Sequence, residues 1–378
     1  MKKLMIFVDW FAPGFKAGGQ IQSCVNLASA LQQELQVMVV TTDRDLGNDQ
    51  PYDEIIPDQW NRFEDKIQVM YLSPENRGYK SIRSLIRSQK PDIIYLNSMF
   101  SFNLSLLPLE VCRFDNWIVH VVLAPRGMLH SGALQFKRMK KKLFFHAFKV
   151  RGFHKRILFH ATDKTELEDI KQMFGKNAQI SFVDDFPASK QDPVFFLPKE
   201  TGFLKCLFIA RVCKTKNLLY LLNLLQRVKV NIELTIAGPV EDPDYWEECK
   251  EVIAVLPSNI KVNFLGPVPN NLLHEIYRSH HLFILPTVGE NFGHVIFESL
   301  LNGRPVLISD LTPWKQLESK HAGWDIPLAE EERFMKAILT AVNWNQEVFD
   351  SYCKSCWTFA STYTDIAPLK KQYLQLFQ

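Results

Sequence analysis

Short apolar runs alternate with segments of helical period along the whole chain. The runs LMIFVD, VMVVTT, IQVMYL, DIIYLN, NWIVHVVLA, RILFHAT and AQISFV are interleaved with helical patterns from about Gln20, near Tyr79 to Gln89, near Phe102, and from Asp163. Uninterrupted apolar strands separated by helices predict a parallel sheet covered on both faces. DDFPASKQDPVFFLPKETG, Asp184 to Gly202, breaks this alternation with three prolines and a polar stretch, so it is the linker candidate. The pattern then restarts with FLKCLFIA, NIELTIAG, IKVNFLG, HLFILP and PVLIS, with helical patterns between them and three more after them. The expected fold class is therefore α/β, with two doubly wound Rossmann-like domains in series: residues 1–187, a linker at 188–202, and residues 203–361.

Composition narrows this picture. At 378 residues the chain exceeds what one core usually serves, and 47% hydrophobic with 22% charged residues excludes a disordered chain. MKKLMIFVDW imitates a signal peptide, but its apolar run ends at Asp9 and is too short for one. No stretch approaches the roughly 20 apolar residues of a membrane span, so a cytoplasmic chain with at most a surface attachment to membrane is expected. Seven scattered cysteines favour reduced thiols over a disulfide framework, and the C-x-x-C of Cys353 and Cys356 lacks a second pair. Charge divides unevenly. Residues 1–190 carry 26 Lys and Arg against 20 Asp and Glu, whereas residues 191–378 carry 18 against 21, which suits two domains with different partners.

In open parallel sheets ligands bind beyond the carboxyl ends of the strands, so the loops after strands hold the candidate chemistry. After the first strand, Gly18 and Gly19 directly precede a helix, where close backbone approach and free N–H groups suit an anion, although a simple turn fits as well. After FLKCLFIA come Arg211 and, near a helix start, Lys216. A lysine there opposes the helix dipole, so local stability does not select it, and two cations five positions apart suit a diphosphate. PTVGENFGHVIFESLLNGRPV sets Glu290 in a loop and Glu298 inside the following helix, about 12 Å apart along the axis if all of that spacing were helical. That separation is too long for a carboxylate pair flanking one glycosidic bond. Two contacts to hydroxyls at different ends of one ligand fit it better.

These residues in this order resemble glycosyltransferase family 4, also called the group 1 glycosyltransferases. The resemblance rests on Gly18-Gly19, PDIIYLNS, LAPRGML, FIARVCKTKN, LTIAG, VNFLGPV, and the E-x7-E of Glu290 and Glu298. It implies a GT-B fold with two Rossmann-like domains facing across a cleft, the first binding acceptor and the second nucleotide-sugar, with residues 362–378 crossing back onto the first. The diphosphate would be held by Gly18, Gly19, Arg211, Lys216, His294 and Val295, and the donor sugar by Glu290, Asn291, Phe292 and Gly293. Glu298 would bind ribose, and Val268 would lie near the base. Arg211, Lys216 and Glu290 would be the catalytic set.

The implied reaction is metal-independent transfer with retention of anomeric configuration, in which the departing phosphate takes the acceptor proton. Nucleotide-sugar is then a substrate, and no cofactor is expected. The D-x-D of Asp43 and Asp45 reads as a solvated loop. Four departures from the family pattern stand out. Arg126 occupies the place of a common histidine, which makes it an acceptor-side or donor-sugar cation, Asn217 replaces a glycine after the lysine, and Asp184-Asp185 replaces an Asn-Gly turn; the usual glycine before Arg211 is also missing.

From Asn116 to Thr162 there is no acidic residue, while Arg126, Lys137, Arg138, Lys140, Lys141, Lys142, Lys149, Arg151, Lys155 and Arg156 are basic. Phe136, Met139, Leu143 and Ala147 keep helical spacing as a core stripe, leaving Phe144, Phe145 and Phe148 partly to spare. A basic amphipathic helix with extra aromatics suits an anionic membrane surface or a lipid-pyrophosphate acceptor, with Lys137, Arg138, Lys140, Lys141 and Lys142 as the patch. No nucleic-acid motif accompanies it. The functional expectation is a glycosyltransferase acting from UDP- or GDP-sugar on a lipid-linked glycan in surface polysaccharide synthesis. An epimerase or hydrolase on the same fold, or a nucleotide-sugar sensor, are the alternatives.

Overall fold

The apolar runs become strands because both of their faces are covered. In this computed structural model, which describes residues 1–115, 119–130, 138–188 and 193–378, the chain divides into two units. Unit 1 holds Met1–Phe186 with Ile366–Gln378, and unit 2 holds Pro187–Asp365. The strands of unit 1 are β1 (Lys3–Phe7), β2 (Gln36–Thr42), β3 (Trp60–Phe63), β4 (Ile67–Leu72), β5 (Ile93–Leu96), β6 (His120–Leu123), β7 (Leu158–Ala161) and β8 (Ile180–Phe182). They form one sheet in the order β3-β4-β2-β1-β5-β6-β7-β8. Leu4 and Ile6 of β1 face a core completed by the helix Gly19–Leu31, by Tyr373 and Leu376 of the last helix (Ala367–Leu376), and by Phe377 just after it. Met5 and Phe7 face the opposite core. The short β3 runs antiparallel to β4 and carries no apolar alternation that would have announced it.

Unit 2 contains β9 (Phe203–Ile209), β10 (Asn231–Ala237), β11 (Ile260–Gly266), β12 (Leu282–Leu285), β13 (Val306–Ser309) and β14 (Gly323–Ile326). Its order is β11-β10-β9-β12-β13-β14, with every pairing parallel. In both sheets the order of strands reverses direction beside the first strand, between β1 and β5 and between β9 and β12. Such a switch point opens a crevice at the carboxyl ends of the two strands, because their following helices leave to opposite faces.

Residues 193–202, expected as a free linker, are fastened within unit 2. Arg304, 1% exposed, donates from Nη2 to the carbonyls of Phe195 (2.9 Å) and Arg278 (3.1 Å) and from Nε to that of Tyr277 (3.2 Å). Lys199 donates to the carbonyls of Glu200, Phe203, Val342 and Trp344. Cys353 and Cys356 are both buried, and Arg304 Nη1 lies 3.2 Å from Cys353 Sγ. All seven cysteines are free thiols.

The basic helix, Arg138–Val150, packs in the reverse of the expected sense. Phe145 and Phe148 are buried, whereas Met139 and Leu143, expected in the core stripe, are exposed. Aromatic partners decide the orientation: Phe144 and Phe145 meet Phe100 at 5.0 and 5.6 Å between ring centres, and Phe148 meets Phe153 and Phe174 at 5.3 and 5.7 Å. Phe136 and Lys137 of the same expectation lie outside the described residues, as does the side chain of Arg138.

Arg304 is the test of the strap. Arg304→Ala leaves several buried carbonyls without donors and is expected to destabilise unit 2 by about 3 kcal/mol, measured by urea unfolding of the full chain.

Candidate active site

The loops after β9 and β12 leave neighbouring strands at the switch point and are bonded to each other. The Thr215 carbonyl accepts from Thr287 Oγ1 (3.0 Å) and from the Val288 N–H (2.9 Å). The Glu290 N–H donates to the Leu311 carbonyl beyond β13 (3.2 Å), and Ser309 Oγ to the Thr287 carbonyl (2.5 Å). Three post-strand loops thus form one hydrogen-bonded rim. Gly238, at the end of β10, closes it on the other side. Its φ is +139°, and a Cβ there would fall 2.0 Å from the Ala210 carbonyl oxygen, so only glycine lets that loop pass.

On this rim the two expected charge sets meet. Lys216 Nζ lies 2.6 Å from Glu290 Oε1, and both side chains are largely shielded from solvent. Arg211 Nη1 lies 2.5 Å from Glu241 Oε2, with both groups more open to water. Glu241, in the loop after β10, was missed by sequence reasoning. The helix expected to start near Lys216 begins at Leu218, and Asn217 before it has φ +60°. That left-handed position explains why glycine suits the site and why asparagine, tolerant of the same conformation, can replace it.

Glu298 sits in the second turn of the helix His294–Leu301, whose preceding residue Gly293 has φ +74°. Tyr277, at the end of the helix Asn270–Arg278, donates to the Val295 carbonyl (3.0 Å) and to Glu298 Oε2 (3.2 Å). Burial pushes the Glu298 carboxyl up to about 7, against a partial downward pull from the tyrosine hydroxyl. No motif singled out Tyr277; its place one turn before β12 was its sole signal. His294 is buried with its ring centre 4.7 Å from that of Phe292, and the Phe292 carbonyl accepts from Trp314 Nε1 (2.6 Å). Val268 and Val295 are partly buried against the core of unit 2. Arg211, Lys216, Glu290, Asn291, Phe292, Gly293, His294, Val295 and Glu298 therefore belong to one end of one sheet.

In unit 1 the helix Gly19–Leu31 starts after Gly18, which has φ +68°, and no side chain caps it. The loop after β5 lies across the β1/β5 switch point, and Gln20 Nε2 donates to the Asn97 carbonyl there (2.8 Å). A pocket of about 400 Å³ opens beside these strand ends, lined by Asp9, Trp10, Arg44, Arg77, Ser101 and Phe102 among others. Ser101 Oγ donates to Asp9 Oδ1 (2.6 Å), while burial raises the Asp9 carboxyl. Asp43 is occupied by Arg44 and Arg77, both 2.8 Å away, and Asp45 accepts backbone N–H groups of Phe15, Lys16 and Leu46. These carboxylates brace loops, where a solvated segment was expected.

Arg126 is likewise committed inside unit 1. Its Nε donates to Asn97 Oδ1 (2.5 Å), Nη2 to Tyr95 Oη (3.0 Å), and Nη1 to Asp185. Asp185 also accepts from Ser23 Oγ (2.9 Å). The cation expected to face an acceptor is thus buried, its charge matched within the fold.

Comparison with known proteins follows this geometry. Residues 204–343 match the family model described as Glycosyl transferases group 1. The matched residues lie within unit 2. An uncharacterized glycosyltransferase of Methanocaldococcus jannaschii is 33% identical over 107 residues, which span 28% of this chain and 27% of that protein. Anabaena HepE in complex with UDP and glucose superposes with a TM-score of 0.70 at 14% identity, covering 99% of each chain. WaaG, a glycosyltransferase involved in lipopolysaccharide biosynthesis, gives 0.68 at 14% identity, again over 99% of each. These likenesses show the fold, which is GT-B with two Rossmann-like α/β domains.

The raised Glu298 carboxyl has a measurable consequence. An acid that binds its proton more tightly folded than unfolded stabilises the fold fully below the unfolded value near 4.5, and loses that contribution as pH rises through about 7. Between those values the slope is up to about 1.4 kcal/mol per pH unit. Glu298→Gln removes it, so urea unfolding at pH 5 and pH 8 is expected to show the variant gaining on the wild type at pH 8.

Proposed function

We propose that the chain is a metal-independent, retaining glycosyltransferase that moves a sugar from a UDP- or GDP-sugar onto a lipid-linked glycan during surface polysaccharide synthesis. The observation that carries the reading is the rim at the β9/β12 switch point, where Arg211, Lys216 and Glu290 converge beside the Glu298 helix. The group 1 domain over residues 204–343 supports it, and the HepE structures, which hold UDP and UDP-glucose, favour a nucleotide-sugar donor.

The residues have distinct duties in this reading. Arg211 and Lys216 take the diphosphate, exchanging Glu241 and Glu290 for phosphate oxygens. As the bond between the anomeric carbon and the phosphate oxygen breaks, negative charge grows on the leaving diphosphate, and the two cations stabilise it more in the transition state than in the ground state. The acceptor oxygen bonds to the anomeric carbon on the face the phosphate leaves, and its proton passes to the departing phosphate oxygen. Nucleoside diphosphate and a glycoside of unchanged anomeric configuration result.

Glu290, released from Lys216, accepts hydrogen bonds from donor-sugar hydroxyls beside Asn291, Phe292 and Gly293. The helix start at His294 and Val295 faces the phosphates, Glu298 takes the ribose with Tyr277 positioning it, and Val268 lies toward the base. In unit 1, the pocket bearing Asp9 and Phe102 takes the acceptor. Membrane association on the cytoplasmic face belongs to the same reading.

Products formed from radiolabelled nucleotide-sugars with a membrane extract test it. Transfer is expected with retained configuration, and Arg211→Ala and Lys216→Ala are each expected to lower kcat/KM by on the order of a hundredfold or more. Inverted product, or nucleotide release without any glycoside, contradicts the proposal.

A further inference from the structure

The reversed packing of the basic helix leaves an apolar face exposed, with no cover among the described residues of unit 1. Met139, Leu143 and Val150 are 78%, 71% and 73% exposed. At about 100° per residue they fall, together with exposed His146, within about 60° of one another, and lie opposite the Phe144, Phe145 and Phe148 face held in the core. Lys140 flanks this ridge on one side and Lys142 on the other, while Lys149 Nζ lies 5.6 Å from the Phe174 ring centre. Lys140 and Lys142 have no acidic partner among the described residues. The acid that reaches the end of the helix, Glu110, is taken up by Arg151 (2.6 Å) and Arg113 (3.5 Å). Lys141 is turned inward, its Nζ 5.0 Å from the Phe100 ring centre.

An apolar ridge bordered by lysines has the cross-section of a helix lying in a bilayer interface, with aliphatic groups among acyl chains and ammonium groups at phosphate level. Other occupants fit less well. A second copy of the chain docked on this face by a two-fold axis would set lysines against lysines. Nucleic acid would satisfy the lysines and leave three large apolar side chains against a phosphate backbone. The absence of acidic residues from Asn116 to Thr162 leaves a one-sign field that only an anionic surface complements.

We propose that the helix Arg138–Val150 docks lengthwise on an anionic lipid bilayer, inserting Met139, Leu143 and Val150 and placing Lys140 and Lys142 at the lipid phosphates. This specifies the membrane-facing part of the proposed function and rests on none of its donor chemistry. The segment also connects to the unit 1 pocket: Phe100 packs on the helix, and Phe102, two residues on and 65% exposed, lines the pocket. A lipid-linked substrate would meet pocket and membrane face through one stretch of chain.

Co-sedimentation of the full-length protein with phosphatidylcholine vesicles, and with vesicles of equal parts phosphatidylcholine and phosphatidylglycerol, tests the proposal without nucleotide. Binding is expected to the second type alone. Met139→Glu with Leu143→Glu should lower the partition coefficient at least about tenfold, and Lys140→Gln with Lys142→Gln roughly thirtyfold. The thermal midpoint of each variant, expected to match the wild type, controls for folding. Equal sedimentation with both vesicle types, no sedimentation, or wild-type binding by Met139→Glu with Leu143→Glu overturns the proposal. So does a dimer in analytical ultracentrifugation that Leu143→Glu dissolves. Nucleotide binding by the same preparations reports the donor reading separately, so failure of either is distinguishable from failure of the other.

Discussion

Lys216 and Glu290 meet because β9 and β12 are neighbours whose helices leave to opposite faces of the sheet. That topology opens the crevice, and the Thr215 carbonyl, shared by Thr287 and Val288, fixes the two loops across it. A cation and a carboxylate held 2.6 Å apart and mostly shielded from water cannot both be left unpaired cheaply. In this fold each neutralises the other. In the proposed reading, an incoming phosphate and an incoming sugar hydroxyl take over both partners together, so that the whole donor, and neither fragment alone, replaces the ion pair.

A second constraint operates inside unit 1. Arg126 and Asp185 occupy two of the places where the sequence departs from the family it resembles, and they are bonded to each other in the core. A buried arginine without that aspartate would leave an uncompensated charge, and the reverse holds equally. The two departures are thus one feature. They also tie the loop after β6 to the segment after β8 and, through Asn97, to the switch point beside the Gly18-Gly19 helix.

Most of the architecture was legible because parallel strands buried on two faces must be continuous apolar runs, as in FLKCLFIA and HLFILP. Lys216 stood out because a cation near a helix start opposes the helix dipole, whereas Arg211, Glu290 and Glu298 were read from their positions after strands and from the family pattern they resemble. Legibility failed where tertiary partners decide. Helical period offers the stretch from Met139 to Val150 two apolar faces, and the rings of Phe100, Phe153 and Phe174, distant in sequence, select the phenylalanine face for the core. Arg126 carried a charge whose use could not be known without Asp185 beside it. Tyr277, Glu241 and Arg304 act through contacts that no spacing along the chain encodes, and the short antiparallel β3 lacks the apolar alternation that marks a strand.

In the proposed function Lys216 is a phosphate ligand and Glu290 a sugar ligand, and the two hold each other until the donor arrives. Calorimetric titration of UDP, GDP and their glucose conjugates into wild type, Lys216→Ala and Glu290→Ala tests this most directly. Lys216→Ala should weaken the bare nucleotide and its sugar conjugate together. Glu290→Ala should bind the bare nucleotide at least as tightly as wild type, since Lys216 is then free, while losing the added affinity that the sugar brings. Equal weakening of nucleotide and nucleotide-sugar by Glu290→Ala, or unchanged binding of both by Lys216→Ala, would contradict it.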